Sequence, residues 1–308
     1  MNQVLRKLLL VFGVILLLFA GLLIMMHLEI FASPMLNLSF RYSDRQIERK
    51  FTMAPFSPEV RHLPYNGKTL RYLLLEHDRD KPYVVFIHGA PGSCTDYIRF
   101  FHDERLHRHF NILSIDRPGY GYSDFGNSET SIYKQAEAMT AVVQTVCHEN
   151  QVLLVGHSYG GPVVLSMAAN FRFSVAKILL LAPAIDPSNE KKVGVARLGV
   201  QRGTRWLTPP ALRVAADEKT THIQALRELQ PQLANVKTPI YHMHGTRDSL
   251  VPYTNVSFSE NTFSKEQLTI HTLQDVDHFL PWTHYDLVVE TLVSMAGKSD
   301  GGDSAAVE

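Results

Sequence analysis

At 308 residues and 34.8 kDa the chain has room for one large α/β domain or two small ones, and its 45% hydrophobic content can fill a sizeable core. Thirty basic residues balance thirty acidic ones, which removes the global attraction that nucleic-acid binding draws on. Two cysteines, Cys94 and Cys147, cannot build a disulfide scaffold and lack the paired spacing of a zinc site.

The first predicted element is a membrane-length helix. Leu8 to Met26 is nineteen residues without a charge or a strongly polar side chain. At about 1.5 Å per residue it spans about 28 Å, close to the hydrocarbon thickness of a bilayer. A cleaved signal peptide has an apolar core of about 7–15 residues before a small-x-small site. Here the run is longer, and the exit puts Ile30 or Phe31 where a small residue is required. Residues 1–30 therefore read as an uncleaved single-pass anchor crossing at 8–26. Arg6 and Lys7 place its N-terminus in the cytoplasm and the rest of the chain on the far, periplasmic or extracytoplasmic side. Arg41 and Arg45 downstream weaken that charge bias. Residues 31–66 are mixed in character and punctuated by proline, and read as a stalk with a short exposed helix over Ser43 to Lys50. The small, polar stretch 298–308 reads as a disordered tail.

Short apolar runs follow in order: Leu70 to Glu76, Tyr83 to His88, Asn111 to Asp116, Gln151 to Gly156, Ala176 to Leu181, Pro239 to His244 and Gln267 to Thr272. Helix-length segments at 94–108, 128–149, 159–170 and 281–296 separate several of them. Strands apolar on both faces and joined by helices predict a parallel sheet with helices on both sides. In such sheets ligands bind at the carboxyl ends of the strands, so the residues just after each run are the candidates.

After 151–156 stands Gly156-His157-Ser158-Tyr159-Gly160, a G-x-S-x-G pattern between a strand and a helix. So abrupt a turn strains the serine backbone, and glycine at 156 and 160 removes the side chains that would collide. Ser158 is left exposed as a nucleophile. After 83–88 comes His88-Gly89-Ala90-Pro91-Gly92-Ser93, a small-residue loop able to aim backbone N–H groups at an oxyanion. His88 is expected to fix that loop rather than to react. After 239–244 comes Asp248, an acid able to orient a histidine; Asp186, after the neighbouring strand, competes for that role. His278, ahead of the last helix, is the best general base, since a serine hydroxyl needs one within hydrogen-bond reach. His271 and His284 fall inside a strand and a helix and fit less well. His242 and His244 share a strand face, but without a third ligand nearby they read as core histidines rather than a metal site. No cofactor is implied.

HGAPGS at 88–93, DRPGYGYSD at 116–124, GHSYGG at 156–161, HGTRD at 244–248 and DHFLPW at 277–282 stand in the order Ser, Asp, His. In these motifs the chain resembles the α/β-hydrolase superfamily over about 68–297, and more narrowly its esterase- and lipase-like serine hydrolases. The resemblance implies an eight-stranded, mostly parallel sheet with a small helical cap. It implies Ser158 as nucleophile, His278 as base and Asp248 as acid, with the N–H groups of Ala90 and Tyr159 as oxyanion hole and His88, Gly89, Gly156 and Gly160 in support. Asp116 would be structural, and Cys94 and Cys147 would lie on opposite sheet faces, too far apart to bridge. Where the family often has glycine before the histidine, this chain has Asp277.

The implied division is a core over 67–186 and 238–297, interrupted by a cap at 187–237. The cap has nine basic residues against four acidic ones. Val193, Ala196, Val200 and Leu207 form one helical stripe opposite Lys191, Arg202 and Arg205. Such a cap could rest on anionic lipid or admit an acidic or lipid-like substrate, or its stripe could simply cover the pocket.

The expected activity is hydrolysis of a carboxylic ester or related acyl bond on a small-molecule or lipid-like substrate, with no nucleic-acid partner. Proline iminopeptidases share the HGAPG loop but carry acidic caps. Epoxide hydrolases and haloalkane dehalogenases need an aspartate where Ser158 stands. C–C bond hydrolases and cofactor-free haloperoxidases share the same triad. A membrane-tethered binding protein that keeps the fold without catalysis is the alternative of a different class.

Overall fold

A computed structural model of the chain describes residues 3–30, 33, 35–36, 38–190, 201 and 205–296. Eight strands form one sheet: β1 (Glu59–Tyr65), β2 (Lys68–Leu75), β3 (Tyr83–Ile87), β4 (Asn111–Ile115), β5 (Val152–His157), β6 (Val175–Leu181), β7 (Ile240–Gly245) and β8 (Leu268–Leu273). Their spatial order is β1-β2-β4-β3-β5-β6-β7-β8. β2 runs antiparallel to β1 and β4, and every other neighbouring pair is parallel. This is the α/β-hydrolase sheet that the motif order implies. Central strands such as β3 and β4 are buried along their whole length, which is why they read as unbroken apolar runs.

Two apolar layers enclose the sheet. On one side lie α4 (Ile132–Cys147), α5 (Gly160–Asn170) and α7 (Thr254–Thr262), which contribute Met139, Val143, Val163, Leu165 and Phe258. On the other lie α2 (Asp44–Phe51), a 3-10 helix at Cys94–His102, α3 (Glu104–His107) and the final α9 (Tyr285–Ala296), with Phe86, Phe100, Val288 and Leu292 between them. Cys94 sits in the second layer and Cys147 in the first, so the sheet separates two free thiols. The expected helix at 94–108 divides into the 3-10 helix and α3. The one expected at 281–296 breaks at His284, between α8 (Leu280–Thr283) and α9.

The expected stalk at 31–66 needs correction. Residues 59–65 form β1, the edge strand, and α2 buries Ile47 and Phe51 in the core. The error has a physical origin. An edge strand that is half solvated needs no apolar run and tolerates Pro64, and a helix that inserts only two side chains one turn apart looks polar overall. Arg71 of β2, wholly buried, secures this region by donating to Tyr42 O at 2.9 Å and to Asp116 Oδ2 at 2.8 Å.

α1 (Gln3–His27) is apolar, long enough to cross a bilayer, and presents its apolar window to the outside rather than to the core. Beyond it, Glu29 pairs with Arg41, whose guanidinium lies 3.6 Å from the Phe125 ring centroid and donates to Gly121 O. Of the segment expected to form a cap, the structure describes a short 3-10 turn at Arg205–Leu207, α6 (Pro210–Leu229) and a 3-10 helix at Gln230–Asn235. The residues Lys191, Val193, Ala196, Val200 and Arg202 lie outside the described residues, and with them most of the expected apolar stripe. Arg205 pairs with Asp217, and Lys219 with Glu190.

Candidate active site

β3 and β5 are neighbours, yet β3 connects to β4 on one side while β5 leads on to β6 on the other. That reversal opens a crevice at the carboxyl ends of β3 and β5, and both carry candidate motifs there. Ser158 follows β5 directly and sits at φ +54°, a left-handed conformation that costs a non-glycine residue about 1–2 kcal/mol. Three backbone bonds hold it there. Its N–H donates to Leu181 O at 3.0 Å, and its carbonyl accepts from Gly161 N and Ala184 N at 2.9 and 3.1 Å. A Cβ on Gly156 would stand 2.5 Å from Gly160 O, and one on Gly160 would stand 2.2 Å from Ile87 O. Only glycine permits α5 to start this close to β3 and β5. Ser158 itself is partly exposed.

Asp248 follows β7 and His278 follows β8. Asp248 Oδ2 accepts from His278 Nδ1 at 2.6 Å, which leaves Nε2 as the free basic nitrogen of that ring. Asp248 Oδ1 accepts from Leu250 N and Val251 N at 2.9 and 2.7 Å. Burial works against the charge of Asp248, but hydrogen bonds from His244 and His278 outweigh it and hold the carboxyl well below the usual carboxylate range. It is an ionised acceptor at any neutral pH. The competing acid, Asp186, is committed elsewhere: it accepts from Ser188 N and from Asn189 Nδ2, with no contact to His278.

His242 and His244 form a buried chain behind Asp248. Ser259 Oγ meets His242 Nδ1 at 2.9 Å, His242 Nε2 meets His244 Nδ1 at 3.0 Å, and His244 Nε2 meets Val251 O at 3.2 Å and Asp248 Oδ2 at 3.4 Å. Since Val251 O can only accept, His244 Nε2 must donate, and burial beside His244 holds the pKa of His242 well below the usual histidine range. Among the described residues no group of three or more His, Cys, Asp or Glu has metal-ligand geometry.

The loop after β3 packs directly on the serine, since a Cβ on Gly89 would lie 3.0 Å from Ser158 Cβ. His88 is wholly buried. Its Nε2 accepts from Arg117 N at 3.0 Å, so the Nδ1 that meets Gly89 O at 2.8 Å is the donor. Burial, reinforced by the Arg117 cation, pushes its pKa down to about 3, so it is neutral and holds the loop. The N–H groups of Ala90 and Tyr159 have no backbone partner among the described residues. Asp116 is buried and accepts from Arg71 Nε, Cys94 N and Tyr122 N, an anchoring role.

Sequence reasoning missed the contacts that three side chains make here. His157, next to the serine, meets the backbone carbonyl of His278 at 3.1 Å and so fixes the loop that carries it. His244 touches Asp248. Arg117, beside the noted Asp116, binds the backbone of the loop after β3. All three lie inside the quoted motifs, GHSYGG, HGTRD and DRPGYGYSD, but their contacts are set by neighbouring strands and loops that no local pattern encodes.

The family model described as alpha/beta hydrolase family matches residues 84–291. The AB hydrolase superfamily protein YisY of Bacillus subtilis (strain 168) is 25% identical over 204 residues, covering 55% of this chain and 75% of the relative. Among solved structures, a membrane phospholipase A described as a bacterial virulence factor superposes with a TM-score of 0.61 at 16% identity, covering 94% of this chain and 97% of the other. Est816, an N-acyl homoserine lactone degrading enzyme, superposes with a TM-score of 0.56 at 16% identity, over 76% of this chain and 99% of the other.

Proposed function

Because the chain belongs to the alpha/beta hydrolase family, we propose that it is a serine hydrolase cleaving a carboxylic ester, or a related acyl bond, through an acyl-enzyme. Ser158 attacks the carbonyl while His278 Nε2 takes its proton, and Asp248 stabilises the imidazolium that forms. The N–H groups of Ala90 and Tyr159 receive the developing oxyanion, and His278 then returns the proton to the leaving alkoxide. Water enters, is deprotonated by the same ring, and releases the acid.

The observation that supports this reading most is the 2.6 Å bond from His278 to Asp248, in a loop tied by His157 to the elbow of Ser158. The acyl substrate is a small molecule or lipid-like, and α1 serves as the anchor, with the catalytic domain outside the cytoplasm. One contact favours delivery at the membrane surface. Phe40 and Phe125, beside the Arg41 clamp, and Ala90 of the loop after β3 all pack against one cluster of Tyr120 with Ala211 and Val214 of α6. The chain that leaves the anchor thus runs past both cap and oxyanion loop.

Fluorophosphonate labelling of the membrane fraction tests the assignment: the label should map to Ser158. Ser158→Ala should lower hydrolysis of short p-nitrophenyl esters at least about a thousandfold without unfolding the protein. Labelling elsewhere, or near wild-type activity in the variant, overturns it. A folded wild-type chain that neither labels nor hydrolyses would be a tethered binding protein. Hydrolysis confined to N-terminal proline amides would make it an iminopeptidase.

A further inference from the structure

We infer that Glu218 of the cap and Arg117 are positioning residues for the oxyanion hole, so that a docked cap is what aims the Ala90 N–H. The inference rests on the serine-hydrolase reading above and deepens it.

Arg117 and Glu218 are both wholly buried. Arg117 Nη1 donates to Glu218 Oε1 at 2.5 Å and to Gln135 Oε1 at 2.6 Å. Nε donates to His88 O at 2.9 Å in the loop after β3, and Nη2 donates to Gly89 O at 2.8 Å and, at 3.4 Å, to Glu218 Oε2. Gly89 O and Ala90 N–H belong to one peptide unit. That unit is planar, with its carbonyl and its N–H pointing in opposite directions, so fixing the oxygen fixes the line of the N–H. Gly89 O receives two donors on the far side, Arg117 Nη2 and His88 Nδ1, and one of them is a cation. Charge-assisted bonds to a carbonyl also polarise its peptide and strengthen the opposite N–H as a donor.

Glu218 supplies the charge that lets a guanidinium remain there. Besides Arg117 it accepts from Tyr120 Oη at 2.6 Å and from Gln135 Nε2 at 2.8 Å. The same guanidinium lies 4.7 Å from the ring centroids of Tyr120 and Tyr159, and the Tyr159 N–H is the second oxyanion donor. One cation thus touches both sources of the hole, while its counter-ion comes from the insertion. The core alone cannot neutralise it: Asp116, the adjacent acid, is committed to Arg71 and two backbone N–H groups.

Structural support and positioning are separable by charge. Glu218→Gln leaves a buried cation unpaired and should lower both the melting temperature and kcat. Arg117→Met combined with Glu218→Gln removes both charges and should restore most of the melting temperature, because a buried pair contributes little net stability over an apolar replacement. In that double variant kcat for a p-nitrophenyl ester should stay about 10- to 100-fold below wild type with KM within about threefold, since an oxyanion donor acts on the transition state. Asp217→Asn, which breaks the neighbouring cap pair with Arg205, should leave kcat within about twofold. Recovery of kcat together with the melting temperature overturns the inference, as does a loss confined to KM. If the wild-type protein fails to label at Ser158, the serine-hydrolase reading fails first; labelled wild type with an unaffected double variant sinks only the positioning role.

Discussion

The two halves of the candidate site are held by different means. The proposed acid–base half, Ser158, Asp248 and His278, stands on the ends of β5, β7 and β8 and is fixed by backbone bonds, close glycine contacts and a chain of buried histidines. The proposed oxyanion half, the loop after β3, is bound by a buried cation whose counter-ion reaches in from α6. The first is a property of the sheet and indifferent to the insertion; the second depends on it.

The largest expected effect breaks the first half at its acid. Asp248→Asn should lower kcat about a thousandfold with KM little changed, because the wrong histidine tautomer is favoured. Asp186→Asn, whose contacts are to Ser188 and Asn189, should stay within about threefold in the same esterase assay. A reversed ranking would move the acid to β6. Next comes the elbow: Gly160→Ala drives a Cβ to 2.2 Å from Ile87 O, a backbone atom that cannot move aside. Urea unfolding should show a loss of about 2–3 kcal/mol. No loss would mean that close packing does not hold this half.

A smaller effect follows from protonation. Burial holds His88 and His157 down to about 3, whereas an unfolded histidine titrates near about 6.5. Between those values the unfolded chain binds more protons, so stability falls as the pH drops, by about 1.4 kcal/mol per unit for each ring. His77, His102 and His107, also lowered by burial, add the same sign. Asp96, pushed up to about 8 by burial, opposes them with one proton. The melting temperature should be about 5 °C lower at pH 5 than at pH 6.5. A flat or rising profile on acidification would show that these rings are not held neutral.

Much of the fold was legible because central strands buried on both faces must be apolar throughout, as Val84, Val85 and Phe86 are. β1 was not, because an edge strand satisfies half its backbone with water and leaves no continuous signature. At the site, Ser158 was legible from strand–turn–helix sterics, which are local. The choice of Asp248 over Asp186 was not settled by local pattern, since either acid follows a strand; only the 2.6 Å contact of Asp248 with His278 separates them.

By itself, the amino-acid order determined the apolar N-terminal helix, the alternation of strands and helices, and the residues at the strand ends. These follow from periodicity, chain length and backbone sterics, all of which act over a few neighbouring positions. Tertiary structure alone decided that β1 and α2 join the sheet and its core, that His242 and His244 line up behind Asp248, and that Glu218 meets Arg117 across 101 positions. Burying a charge is tolerable only beside its opposite, and which opposite lies near is fixed by how the layers pack.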